Sequence, residues 1–222
     1  MSSSLSSPIP TYPPPTLAER VLDQVFPPLC VGCRRVGRWI CDQCWPKVSW
    51  LPPGSSLPVP AGIHAVVAVA EFDGVAREAV HALKFGERHA IASMMGRLMA
   101  EATRAHAIDL IAPVPLHPSR RRERGYDQAA MLAQHMARTL GAPCRPGLLR
   151  RARKTRQQTT LDGIHRQENV RGAFVPGEEL HGETVVLVDD VLTTGATMSA
   201  AAEAAKAAGA GRVIACVFAW AR

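Results

Sequence analysis

The chain has 222 residues, 47% hydrophobic and 20% charged, with a mean hydropathy of zero, which suits one packed α/β domain plus a small appendage and excludes disorder as the dominant state. Its uncharged apolar stretches, such as 65–70 and 213–221, fall short of the roughly 18–20 residues that span a bilayer, so no membrane insertion is expected. The net charge of +7 is concentrated: 117–171 holds thirteen Arg plus Lys against four acids, or +9, leaving the remainder at −2. A localised positive field points to an anionic ligand, either phosphate groups on a small molecule or a nucleic-acid backbone. A solvated basic surface is the plain alternative.

Residues 1–16 contain five Ser and five Pro, a composition that predicts a disordered tail. It has no basic residue before Arg20 and no apolar core, so it lacks both features of a secretory signal, and a cytoplasmic protein is expected. Over 17–26, Leu17, Val21, Leu22, Val25 and Phe26 recur at helical spacing before Pro27 and Pro28, predicting a short helix. Cys30, Cys33, Cys41 and Cys44 then form two CxxC knuckles seven residues apart. Four thiolates satisfy tetrahedral zinc completely, which is the signature of a closed structural site. Unliganded thiols or a redox pair are the competing interpretations. Arg34, Arg35, Arg38 and Trp39 between the knuckles suit either nucleic-acid contact or packing of this 17–50 unit onto the rest.

The stretch 51–62 (LPPGSSLPVPAG) is the best linker, so a main domain is expected over 63–222. In it, strands are predicted at 65–72, 108–114, 170–175, 185–188 and 213–218, and helices at 73–85, capped by Asp73, and at 90–104, 127–140 and 198–208. This alternation implies a mainly parallel sheet covered by helices on both faces.

The most informative segment is VVLVDDVLTTGAT, 185–197. A buried strand delivers Asp189 and Asp190 to its carboxyl end, where ligands of open α/β sheets bind. The turn Thr193, Thr194, Gly195, Ala196, Thr197 opens a helix whose free N–H groups, dipole and hydroxyls suit a phosphate. Adjacent carboxylates repel phosphate, so the two acids suit hydroxyls or a metal-bound group. Together the parts describe a sugar-phosphate site. A capped strand–turn–helix with no ligand is the alternative.

All thirteen positions resemble the phosphoribosyl diphosphate (PRPP) signature of type I phosphoribosyltransferases. The order of cysteine knot, Pro-rich linker, PVPLHPSRRRERGYDQ (113–128), then Thr155, Gln158, Leu161, Arg166, Asn169, GAF (172–174) and the signature is similar, over roughly 28–222, to the competence protein F (ComF) family. The resemblance implies a zinc-ribbon-like element ahead of a phosphoribosyltransferase domain. It gives the ribose hydroxyls to Asp189 and Asp190, the 5′-phosphate to 193–197, and diphosphate to the loop 115–125 with Arg120, Arg121, Arg122 and Arg124. Residues 150–169 become a hood over the site, and His117 and His165 fall in the site loops. Where the family commonly reads Arg-Gly-aromatic-Asn-Gln, this chain has Asp127, which caps a helix as well as Asn but adds negative charge.

Three functions fit. One is transfer of phosphoribosyl to an unidentified nitrogen acceptor with Mg²⁺, in which Asp189, Asp190 and Arg122 serve the reacting atoms. A second is a PRPP- or nucleotide-sensing module without turnover. The third is a DNA-uptake accessory factor that binds single-stranded DNA or a DNA-processing partner.

Overall fold

The computed structural model describes residues 9–85, 89–116, 118–152 and 172–222. Its centre is a four-stranded parallel sheet of order β1-β6-β5-β2, built from β1 (Ala65–Glu71), β2 (Leu110–Pro113), β5 (Thr184–Leu192) and β6 (Arg212–Trp220). The near-continuous apolar runs of β5 and β6 are buried, as a parallel sheet covered on both faces requires. Helices α2 (Gly74–Phe85), α3 (Ile91–Thr103) and α5 (Gln128–Leu140) share one core cluster with Val186, Val188 and Ile214. Helix α6 (Ala196–Ala207) packs with Val185, Leu187 and Val213 in the second cluster. Among the described residues, no helix is long and apolar enough to cross a membrane.

Several elements depart from the expectation. The strand predicted at 185–188 continues to Leu192 and pairs Asp189 with Val217 of β6, so both acids stand within a strand and not beyond it. A short helix, α4 (Pro118–Arg124), stands within the segment 115–125 expected as a loop. The strand expected at 170–175 is β4 (Phe174–Pro176); it pairs antiparallel with β3 (Leu149–Arg151) in a separate two-stranded sheet, and residues 170–171 lie outside the described residues. Asp73 accepts the Ser49 hydroxyl at 2.9 Å, a bond that ties α2 to the cysteine-bearing segment.

Helix α1 (Leu17–Val25) opens with a capping box between Thr16 and Glu19, which satisfies orphan N–H groups at its start. Glu19 also pairs with Arg97 of α3 at 3.0 Å. The helix therefore docks by its acidic side and leaves Leu17, Val21, Leu22 and Val25 exposed, the reverse of the usual amphipathic arrangement.

The linker separates the two units in sequence but not in packing. Leu51 N–H donates to Val69 O at 2.9 Å and Glu71 N–H to Ser49 O at 2.9 Å, so residues 49–51 extend the sheet antiparallel to β1. Cys30, Ile40, Cys41, Cys44, Trp45 and Trp50 belong to the same buried cluster as α2 and α3. Part of the segment expected as a tail is also held: Trp45 Nε1–H donates to Pro10 O at 2.7 Å, and the Tyr12 ring lies 4.9 Å from Trp45.

Candidate functional site

The cysteine knot is built by turns that bring sulfur close to backbone. The four Sγ atoms lie within 4.8 Å of one another, with Cys33 and Cys41 at 3.5 Å; a tetrahedral ZnS₄ group with 2.3 Å bonds has edges of about 3.8 Å. Cys41 N–H donates to Cys30 Sγ at 3.3 Å. Burial alone would raise the Cys30 thiol, but N–H groups of Cys41, Cys33 and Gly32 bring it down to about 6, favouring the thiolate a metal needs. A Cβ on Gly32 would stand 2.9 Å from Cys44 Sγ, so this close approach requires glycine. The donor set and spacing fit a metal ion such as zinc. The intervening side chains are largely committed to the fold: Arg35 bonds Gln43 at 3.0 Å, Arg38 pairs with Asp42 and lies over the Tyr12 ring, and Trp39 packs against the core.

The second site gathers at the carboxyl ends of β2 and β5. Asp189 is partly buried and Asp190 is 4% exposed. After them, Thr193 and Thr194 are exposed, and Gly195, at φ +77°, is the N-cap of α6. A Cβ there would meet Pro60 Cγ at 2.6 Å, so the linker backs the turn and only glycine satisfies both the left-handed backbone and the contact. The N–H groups of the first turn of α6 have no intrahelical partners, which makes this an anion-accepting helix start; Ala196 and Thr197 stand in that turn.

Burial, then the neighbouring Asp190 carboxylate, push Asp189 up to about 7, and the Lys84 ammonium opposes the rise. An acid raised in the folded state holds its proton to higher pH than in the unfolded chain. Its contribution to stability is complete below about pH 4 and is lost as pH rises through 7. Asp189→Asn is therefore expected to raise Tm at pH 8, relative to its effect at pH 4, by at least 2–4 °C, about 1 kcal/mol for a chain this size. Thermal melts at the two pH values check this, and an equal effect at both would contradict it.

Asp127 caps α5 by accepting from Ala130 N–H at 3.1 Å and also accepts from Leu116 N–H at 3.3 Å. It thus serves two backbone donors and ties Leu116 to the start of α5. Arg121 and Arg122 are exposed on α4, and Arg124 stacks 5.1 Å over the Phe85 ring at the end of α2. Arg120 shares that helix. Arg151 of β3 lies 5.2 Å over Phe174 and its Nη1–H donates to Pro115 O at 3.5 Å, joining the small sheet to the basic segment. His117, His165 and all but 150–152 of the expected hood lie outside the described residues.

Sequence reasoning missed Lys84, whose Nζ is 2.9 Å from Asp190 Oδ1. The only available signal is a lone cation in the apolar final turn of α2. Among the described residues, the four cysteines are the one cluster of three or more ligating side chains suited to a metal. Asp189 and Asp190 do not build a protein-only magnesium site, because one oxygen of Asp190 already faces an ammonium.

The phosphoribosyl transferase domain family matches residues 127–222. The chain is 32% identical to the DNA utilization protein YhgH of Escherichia coli (strain K12) over 184 residues, 79% of this chain and 81% of that one. It is 29% identical to competence protein F of Haemophilus influenzae over 185 residues, 77% of this chain and 81% of that one. A purine phosphoribosyltransferase structure from Pyrococcus horikoshii aligns with 58% of this chain and 80% of its own at 20% identity and a TM-score of 0.37.

Proposed function

Since the chain belongs to the ComF family, which joins a phosphoribosyl transferase domain to an N-terminal cysteine cluster, we propose that it binds PRPP at the carboxyl end of β5. The observation that carries this is the pair Asp189 and Asp190 followed at once by the Gly195-capped start of α6. The acids accept the ribose hydroxyls. The N–H groups and hydroxyls of 193–197 receive the 5′-phosphate. Arg120, Arg121, Arg122 and Arg124 receive the diphosphate, a role for which planar bidentate guanidinium is suited. Zinc in the cysteine knot is structural. Magnesium, if it accompanied the diphosphate, would supply charge neutralisation there; every other contact is made by the chain.

The reaction we infer is displacement at the anomeric carbon. The bond to diphosphate oxygen breaks with its electron pair leaving on the diphosphate, a nitrogen of the acceptor bonds to the carbon, and that nitrogen loses a proton to solvent. Charge develops on the leaving group, so fixed cations aimed at it supply most of the acceleration. Pyrophosphate release from PRPP against a panel of bases and amines is the test. A stoichiometric, acceptor-dependent burst supports transfer, whereas tight PRPP binding with no release favours a sensing module.

A second reading, binding of single-stranded DNA or of a DNA-processing partner in the cytoplasm, draws on the names of the relatives and on exposed Arg121 and Arg122. DNA affinity would then fall steeply with salt, with a log–log slope of roughly −0.7 per phosphate contacted. PRPP would fail to displace it.

A further inference from the structure

Lys84 lies outside every motif of the phosphoribosyl signature, yet it sits on the most buried acid of the site. Its Nζ is 2.9 Å from Asp190 Oδ1, with the Lys84 side chain 22% exposed and that of Asp190 5%. Among the described residues, none makes a hydrogen bond to the buried Asp190 Oδ2. The two oxygens of one carboxylate are therefore unlike: one faces an ammonium, and the other is desolvated and bare. A buried acceptor without a donor is costly, and a site that keeps one is shaped for a ligand that brings the donor.

The ammonium carries three N–H donors. One is directed at Asp190, and the partial exposure of Lys84 leaves the others able to reach a second acceptor. At the same end of α2, the next residue, Phe85, carries the Arg124 guanidinium of α4 5.1 Å above its ring. The anionic load here is heavy. Asp189 feels the carboxylates of both Asp190 and Asp127, with Lys84 as the opposing cation. A diphosphate entering beside three carboxylates needs a positive charge already in place, and at short range in a partly buried site that charge is poorly screened.

Resting on the phosphoribosyl reading above, we propose that Lys84 is a diphosphate-binding residue that bridges Asp190 to the ligand's diphosphate while Asp190 Oδ2 receives a ribose hydroxyl. This makes the free protein partly preorganised: the cation that would meet the diphosphate is held by the acid that would meet the sugar. It also makes recognition of the two ends of the ligand separable, because the 5′-phosphate is taken by the turn at Gly195, on a different element.

The test is calorimetry on the full chain with two probes, PRPP and ribose 5-phosphate, which differ in the diphosphate. Lys84→Met is expected to weaken PRPP tenfold or more and ribose 5-phosphate less than twofold, with Lys84→Arg retaining most PRPP affinity. Equal losses for both probes would mean that Lys84 merely holds Asp190 in place, and no loss for PRPP would mean that it is idle; either overturns the proposal. Because Lys84→Met strands a buried carboxylate, the comparison is repeated in an Asp190→Asn background, where no charge is stranded. There the added Lys84→Met must still cost PRPP tenfold; no further loss overturns the proposal. Wild-type protein that binds neither probe would instead overturn the phosphoribosyl reading itself.

Discussion

Replacing Asp189 and Asp190 together by Asn is expected to lower PRPP affinity at least a hundredfold while leaving the fold intact. Hydrogen bonds to a charged group contribute about 1.5–3 kcal/mol each, and 1.4 kcal/mol is tenfold in affinity, so two lost charge-assisted contacts reach that figure. The strand should survive because its pairing with β6 is made by backbone across 184–192 and its burial by Val185, Val186, Leu187 and Val188. Asparagine retains an oxygen for Lys84, and the repulsion between adjacent acids disappears. Calorimetry with PRPP, alongside circular dichroism, reads both parts. Parent-like affinity in the double variant would remove the ribose assignment, and a lower Tm with unchanged affinity would make the acids structural.

Loss of the metal from the cysteine knot should destabilise the whole chain and not the N-terminal segment alone. Cys30, Cys41 and Cys44 are buried in one cluster with Trp50, Val69 and the inner faces of α2 and α3, so no boundary exists along which the knot could unfold separately. Structural zinc contributes roughly 10–16 kcal/mol of apparent binding energy in small finger peptides. Even a third of that, at about 2–4 °C per kcal/mol for a chain of this length, lowers Tm by roughly 10 °C. Cys41→Ser, or chelation of the parent protein, is expected to produce such a drop in a single transition, and elemental analysis of the parent should give one zinc per chain. Zinc near zero in well-folded protein, or melting indifferent to chelation, would contradict the structural role.

The parts of the site that are local in sequence were legible. Strand, acids, turn and helix lie within 185–197, and periodicity with a glycine is enough to read them, although the strand runs through the acids to Leu192. The knot was legible for the same reason, since its four cysteines are set by spacing. What stayed hidden depends on tertiary placement. The Lys84–Asp190 pair joins the end of one helix to a strand more than a hundred residues later. The β3–β4 pairing links two three-residue strands too short for alternation to register. Helix α1 is evident from periodicity, but its orientation depends on Glu19 finding Arg97, and the spacing of apolar residues says which side is apolar without saying which side docks. Residues 10–12 looked like tail because composition cannot foresee a tryptophan N–H in search of an acceptor.

The acid pair and the Gly195 turn are proposed to hold a phosphoribosyl ligand. Calorimetric titration of the unmodified protein with PRPP and Mg²⁺, followed by single-stranded DNA titrated into the saturated complex, tests it most directly. A single saturable site for PRPP is expected, competed by pyrophosphate and weakened by Arg122→Ala about tenfold, the order expected for one charge-assisted contact. Absence of PRPP binding together with tight, salt-sensitive DNA binding would contradict it.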